Sequence, residues 1–426
     1  MKAARNISTG WQMRAYLALR LCLQPLVPLL LQRRLRQNKE DPLRMGEKLG
    51  KATQARPTGQ LVWLHAVGLG EVLALRPIIL QMQAAAPDLH FLITSTARSS
   101  AHVIGANLPP RCQHQFLPLD APRFVKAFLQ HWRPDLAIWS EQDLWPGAIV
   151  DCAAAGIPVA YINARISADS YRRRAWLRGL YRDVFARFSL IAAQDEATAA
   201  HLLALGSKPA LVTGSLKPAA EPLAADPDDL ADMRKALHGR KVWVAASTHA
   251  ADEGEVIAAQ ARLTTIDPAW LLILTPRLPN RTEALCAALD AAGLTHVQRS
   301  DGRLPQQDTS VWLADSFGEL GLWYRLAQVA FVGASFGGLG GHNPWEALCL
   351  SVPVIHGPDT QNFSDDYALL DAKGLAKKIA QGALADAVAT TAAEVAGPKA
   401  DALIASARAA LGPLAQDLLE LMEDRT

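Results

Sequence analysis

From Leu61 onward, short runs of apolar and β-branched residues alternate with longer stretches of helical periodicity, and this alternation constrains the fold more than any other feature. The first series is LVWLHAV (61–67), LHFLITS (89–95), LAIWSE (136–141), PVAYIN (158–163), SLIAAQ (189–194) and ALVTGS (210–215). Polar interruptions within these runs are few, as expected of parallel strands buried on both faces. Helices are predicted between them near 71–86, 121–132, 146–155, 171–187 and 196–205. A second series follows the same plan: VWVAAS (242–247), WLLILT (270–275), SVWLA (310–314), VAFVGA (329–334) and PVIHG (353–357), leading into Ala-rich helical sequence. The pattern predicts two doubly wound α/β lobes, with ligands bound outside the C-terminal strand ends and in the cleft between the lobes.

The stretch 216–233, rich in proline and acidic residues, is the expected linker between a first lobe at 40–215 and a second at 234–426, whose last helices are expected to cross back to the first lobe. Half of the 426 residues are apolar and 20% are charged, which excludes disordered, collagenous and coiled-coil classes. The 43 Lys+Arg nearly cancel the 41 Asp+Glu, so net charge gives no case for nucleic-acid binding. Five cysteines, scattered without CxxC spacing, suggest neither a disulfide framework nor a zinc site and fit a reducing compartment.

Residues 1–39 stand apart, with eight basic side chains and no acidic one. The apolar stretch between Arg14 and Arg33 is interrupted by Arg20, Gln24, Pro25 and Pro28, which argues for a segment lying in the membrane interface over one that spans it. Its arginines are expected to meet anionic headgroups on the cytoplasmic side. An uncleaved signal peptide and a helix packed on the protein's own core are the competing expectations.

Five places along the chain combine residue types suited to chemistry. His65-Ala-Val-Gly-Leu-Gly-Glu71 follows the first buried strand, lacks the GxGxxG spacing of a dinucleotide site, and puts Glu71 in the first turn of a helix. There it suits a general base, or simply complements the helix dipole. Ser335–Glu346 holds four glycines suited to an anion, while Asn343, Pro344 and Glu346 also match a helix N-cap, N1 and N3. Without GK[ST], the stretch is not a P-loop. Ser247, Thr248 and Arg277 fall at strand ends of the second lobe, where hydroxyls and a guanidinium suit a phosphate. Glu141 and Asp143 close a first-lobe strand as a carboxylate pair or as caps. Arg165 opens a basic and aromatic stretch running from Tyr171 to Arg182, fit for an anionic amphiphile or for a solvated helix face.

In order, LHAVGLGEVLALRPII, WSEQDLWPG, GIPVAYINARISADS, VTGSLK, VWVAASTH, PRLPNR, FGELGLWYRLAQVAFVGASFGGLGGHNPWEA and GPDTQNF resemble the Kdo (3-deoxy-D-manno-octulosonic acid) transferases of lipopolysaccharide synthesis. The resemblance implies a membrane-associated glycosyltransferase of the GT-B fold, moving Kdo from CMP-Kdo to a lipid A precursor with inversion at the anomeric carbon, at the cytoplasmic face of the inner membrane. Glu71 corresponds to the family's general base, Arg277 to its grip on the CMP phosphate, and Asn343 and Glu346 to residues at the nucleotide sugar. Ser247, Thr248, Gly340 and Gly341 are placed beside the donor, and Glu141, Arg165 and Lys217 on the acceptor side. Departures stand at Gly68-Leu69, where the family has Ser-Val, at Leu278, where it has His, and at Gly147 and Ser215, where it has Asn. CMP is already a stabilised leaving group, and no DxD pair precedes the donor loop, so no metal or other cofactor is expected. The rival expectations are a UDP-sugar transferase acting on a membrane lipid, a two-lobed binding protein, and a nucleotide-sugar epimerase.

Overall fold

A computed structural model describes residues 9–37, 39–67, 69–96, 108–391 and 393–423. The chain forms two compact units: residues 1–220 with 406–426, and residues 221–405. The change of unit falls inside the proline-rich 216–233 stretch, and 406–426, the end of the last helix, groups with the first unit.

The first unit is built on β1 (Leu61–His65), β2 (His90–Ser95), β3 (Cys112–Phe116), β4 (Leu136–Ser140), β5 (Val159–Ala164), β6 (Leu190–Ala193) and β7 (Leu211–Val212). All seven are parallel, in the order β3-β2-β1-β4-β5-β6-β7. Side chains alternate between two cores, as the two-residue period of a strand requires. Leu61, Trp63, Ala137, Trp139 and Tyr161 join the helices Pro122–Trp132, Pro146–Ala154 and Arg178–Phe185 on one face. Val62, Leu64, Ile138 and Ile162 join Arg76–Ala85 and the distal half of the helix Ala393–Glu423, through Leu411, Leu414 and Leu418, on the other.

The second unit repeats the plan with β8 (Lys241–Thr248), β9 (Trp270–Pro276), β10 (His296–Gln298), β11 (Val311–Leu313), β12 (Val329–Val332), β13 (Val354–His356) and β14 (Ala376–Lys378). These too are all parallel, in the order β10-β11-β9-β8-β12-β13-β14. In each unit the strand order reverses once, between β1 and β4 and between β8 and β12, so each sheet has one crevice at its carboxyl edge.

Three strands escape the sequence pattern. β3 reads Cys-Gln-His-Gln-Phe, and part of its polar character is met by distant partners: Ser95 Oγ lies 2.9 Å from His114 Nε2, and Trp132 Nε1 donates to Gln115 Oε1 at 2.9 Å. Burial, reinforced by the Arg44 charge, pushes the His114 pKa down to about 3, so the ring is buried neutral. β10 and β14 are three-residue edge strands. Two expected helices are each broken: 71–86 into Leu69–Ala74 and Arg76–Ala85, where Pro77 opens the second piece, and 171–187 into Ala168–Ala175 and Arg178–Phe185.

The N-terminal segment is helical over Trp11–Leu23 and Val27–Arg36, joined by a short turn containing Pro25. Part of the segment packs on the protein itself and part of its apolar surface is left exposed. Met13 and Leu31 are buried, while Trp11, Leu19, Leu21, Leu26, Leu29 and Leu30 are exposed. Trp11–Arg36 is long and apolar enough to cross a membrane by length and composition. Arg20 does not face outward as the exposed Arg14, Arg33, Arg34 and Arg36 do. It turns inward to pair with Asp120 at 3.0 Å and Asp151 at 2.8 Å.

Because Leu418 is fully buried in the first unit's core, Leu418→Ala is expected to destabilise the protein by about 2–5 kcal/mol. A lowered midpoint in thermal denaturation checks this.

Candidate functional site

In the first unit the crevice lies where β1 and β4 end. Glu71 stands in the first turn of the helix Leu69–Ala74, and the Val67 N–H donates to its carboxylate at 2.8 Å. Gly68 lies outside the described residues. Val67, Glu71, Gln142, Asp143, Arg173 and Arg174 are among the residues lining a cavity of about 450 Å³. Burial pushes the Glu71 pKa up to about 7, repulsion from Glu141 and Asp143 adds to it, and the Val67 N–H and the Lys217 charge oppose it. A carboxyl group in that range is suited to taking a proton near neutral pH.

Glu141 and Lys217 are buried together beneath the crevice, 3.7 Å apart. Asn163 ties the pair to the sheet: its amide donates to Glu141 Oε1 at 3.3 Å, and its Oδ1 accepts from Gln194 at 2.9 Å and from the Leu216 N–H at 3.1 Å. Glu141 and Asn163 both have left-handed backbone, φ +58° and +49°, and Asn163 lies where the β5–β6 register shifts. Such strain at strand ends is characteristic of functional sites. Arg165, also buried, follows β5 directly.

Asp143 was foreseen only as a partner of Glu141, and it is Asp143 that lines the cavity beside Glu71. The Trp145 indole donates to it at 2.9 Å, and His65 Nε2 lies 3.4 Å away. Burial works against its charge, but the His65 contact, the indole and the Arg174 charge prevail and hold its pKa below the usual carboxylate value. The basic stretch separates by role. Arg173 and Arg174 face the cavity, with Arg174 donating to the Gln142 carbonyl at 2.7 Å, whereas Arg172 pairs with Asp169 on the surface and Trp176 is 88% exposed.

In the second unit the corresponding crevice lies where β8 and β12 end. Ser247 has φ +55° and is the residue left over where the β8–β9 register shifts. Thr248 is fully buried, and its hydroxyl has no partner among the described residues. The exposed Arg277 donates its backbone N–H to the Thr248 carbonyl at 2.9 Å, and its guanidinium forms no ion pair among the described residues. Thr248, Arg277 and the glycine segment thus share one strand-end cluster. Gly333 permits this, because a Cβ there would press into the Ser247 carbonyl and the Thr248 backbone.

The glycine segment differs from its expectation in two ways. The helix after it, Trp345–Leu348, has only four residues, with Pro344 as N-cap and Glu346 one position earlier than a capping box needs. A single turn gathers little dipole; the seventeen-residue helix Ala250–Ile266, starting just after Thr248, presents the larger one. Second, several N–H groups are already committed: Gly338 to Asp359, Gly341 to the Ala334 carbonyl at 2.8 Å and His342 to the Gly333 carbonyl at 3.2 Å. Gly340, at φ +87°, lies tight against Asn362, whose N–H donates to the Gly340 carbonyl at 2.8 Å. Asn343 accepts from the Trp345 N–H at 3.1 Å and also bonds the Glu346 carboxyl. Burial drives the Glu346 pKa up to about 7, against that hydrogen bond and the Arg277 charge.

Asp252 and the two histidines went unassigned in the sequence. Asp252 accepts from the N–H groups of His249, Ala334 and Phe336 at 2.9, 2.8 and 3.1 Å, clamping the glycine segment to the helix start. Its signal was the position three residues after His249. His249 and His342 stack with Nε2 atoms 3.1 Å apart, and burial, with the nearby His249 and Arg277, pushes the His342 pKa down to about 4. Among the described residues no cluster of three or more His, Cys, Asp or Glu is placed to hold a metal ion.

Two parallel-sheet α/β units, each with its polar groups gathered where the strand order reverses, define the GT-B class of fold. A solved UDP-GlcNAc 2-epimerase from Neisseria meningitidis shares it, with a TM-score of 0.57 over 86% of this chain and 100% of that one; at 14% identity the likeness is of fold alone. Sequence narrows the class. Residues 43–220 match the family described as 3-deoxy-D-manno-octulosonic-acid transferase (kdotransferase). The 3-deoxy-D-manno-octulosonic acid transferase of Rickettsia bellii is 32% identical over 353 residues, 83% of this chain and 84% of that protein. Its namesake from Haemophilus influenzae is 33% identical over 333 residues, 77% and 78% of the two chains. This chain belongs to the Kdo transferase family and is a glycosyltransferase.

Replacing Asp252 by Ala strands three N–H groups at once, and a loss of about 1–3 kcal/mol is expected. Thermal denaturation should register it, with Asp252→Asn losing less.

Proposed function

We propose that the chain transfers Kdo from CMP-Kdo to a lipid A precursor with inversion, using Glu71 as general base. The observation that carries this reading is Glu71 itself: a carboxyl group with its pKa lifted to about 7, in a cavity rimmed by Arg173 and Arg174. An acceptor hydroxyl bound there gives its proton to Glu71 as its oxygen bonds to the anomeric carbon. The bond from that carbon to the phosphate oxygen breaks, and CMP leaves with the electron pair. Attack opposite the leaving group inverts the centre. The arginines suit an acceptor that carries phosphate. In the second unit the Thr248 hydroxyl, without a partner among the described residues, and the exposed Arg277 are the donor-phosphate groups, with Ser247, Gly340 and Gly341 beside them and Asn343 and Glu346 toward the nucleotide sugar. Glu141, Arg165 and Lys217 support the acceptor side. The fixed positive charge of Arg277 meets the leaving phosphate's need without a divalent metal.

The N-terminal segment is the anchor in this reading. Exposed Trp11 and the surface leucines lie in the acyl boundary of the cytoplasmic leaflet, and exposed Arg33, Arg34 and Arg36 meet its anionic headgroups. Anchoring there gives access to a lipid acceptor.

Purified protein with CMP-Kdo and a lipid A precursor, followed by mass spectrometry, tests donor, acceptor and number of transfers together. No Kdo adduct, or tighter binding of UDP than CMP, would reject the donor assignment. Glu71→Gln is expected to lower kcat by about 10²–10⁴-fold with donor affinity retained. The base acts only when deprotonated, so the wild-type rate should rise with pH through about 7, and the variant should lose that limb. Full activity in EDTA is expected; restoration by magnesium of an activity lost to EDTA would overturn metal independence.

A further inference from the structure

Arg20 is 8% exposed at its side chain and lies between two carboxylates. Nη1 is 3.0 Å from Asp120 Oδ1, and Nη2 reaches both oxygens of Asp151 at 2.8 and 3.0 Å. Asp120 is a junction. It also accepts from the Tyr16 hydroxyl at 2.6 Å and from the Gly147 N–H at 2.8 Å, so the helix Trp11–Leu23 and the first turn of Pro146–Ala154 share one carboxylate. Docking an apolar helix does not need this arrangement, since Met13 and Leu31 already supply buried apolar contact.

Gly147 is shaped to this contact. A Cβ there would overlap both the Arg20 guanidinium and the Asp120 carboxylate, so any side chain at 147 would displace the arginine. Two residues upstream, the Trp145 indole holds Asp143, which lines the Glu71 cavity. The connection runs from Arg20 through Asp120 to the Gly147 amide, along the backbone to Trp145, and through its indole to Asp143.

We propose that Arg20 is a positioning residue for the reaction, fixing the 141–147 turn so that Glu141 and Asp143 stay close to Glu71, and thereby making the catalytic pocket depend on a docked N-terminal helix. This rests on the assignment of Glu71 as base. The groups acting on Glu71 are the Val67 N–H, Glu141, Asp143 and Lys217, and Arg173, Arg174 and Tyr181 share its cavity. Loosening the turn withdraws two carboxylates and lets water in, and both changes make Glu71 more acidic.

Arg20→Met and Gly147→Ala break the same contact from opposite sides, the second with every charge kept. In the full-length protein each is expected to lower kcat about 10–100-fold, the scale of a small misplacement, with the KM for CMP-Kdo unchanged. The rising limb of the pH–rate profile should move below about 7, and amides of 141–147 should exchange faster. The double variant should be no worse than the poorer single one, and Arg20→Lys should recover part of the rate. Should Arg20→Met fail to fold, Gly147→Ala carries the test. A folded variant with a lower melting temperature but unmoved kcat and pH limb would overturn the proposal, assigning Arg20 to stability alone. Glu71→Gln separates the two readings. If it is active, the base assignment fails; if it is inactive while the Arg20 and Gly147 variants keep the wild-type profile, only the positioning role fails.

Discussion

Every strand in both sheets is parallel, and the central strands are covered on both faces, so there a polar group has almost nowhere to be useful except at a strand's end. Reversal of strand order between β1 and β4, and again between β8 and β12, parts the chains leaving those ends and opens a crevice in each unit. Four of the non-glycine residues with left-handed backbone, Glu141, Asn163, Ser247 and Ala334, sit at or just beyond carboxyl ends of strands. The backbone is bent out of regular geometry where side chains must be aimed.

The two crevices use burial for different ends. In the first unit, burial and two neighbouring carboxylates make Glu71 reluctant to ionise, while Lys217 and the Val67 amide keep it from being locked in the acid form. In the second unit the same desolvation acts on Glu346 and His342, lifting one and depressing the other, so both tend toward neutrality beside Arg277. The exposed cation of Arg277, beside groups that burial drives toward neutrality, suits a phosphate. A crevice holding a carboxyl group poised near neutral pH suits proton removal.

Much of this was legible in the sequence. Strands buried on both faces announce themselves as unbroken apolar runs, and residues just past those runs must lie at the sheet's carboxyl edge; Glu71, Glu141, Ser247 and Thr248 were found that way. β3 was not, because His114 and Gln115 take partners, Ser95 and Trp132, that no local pattern reveals. Asp252 was missed for the same reason: its partners Ala334 and Phe336 lie more than eighty positions away. The glycine segment was read as an open anion cradle, but donors such as those of Gly338 and Gly341 find acceptors within the protein that no local pattern reveals. Arg20 misled as well. An arginine in an apolar helix looks like a headgroup contact until Asp120 and Asp151 are seen beneath it.

The helix Ala393–Glu423 places Leu411, Leu414 and Leu418 in the core of the first unit, against strands encoded some three hundred residues earlier. During translation the first sheet therefore emerges with one apolar face only partly covered, by Arg76–Ala85, and must wait for the whole of the second unit to be made before that face is closed. The half synthesised first is the half completed last, and in that interval it is a client for chaperones and a target for aggregation.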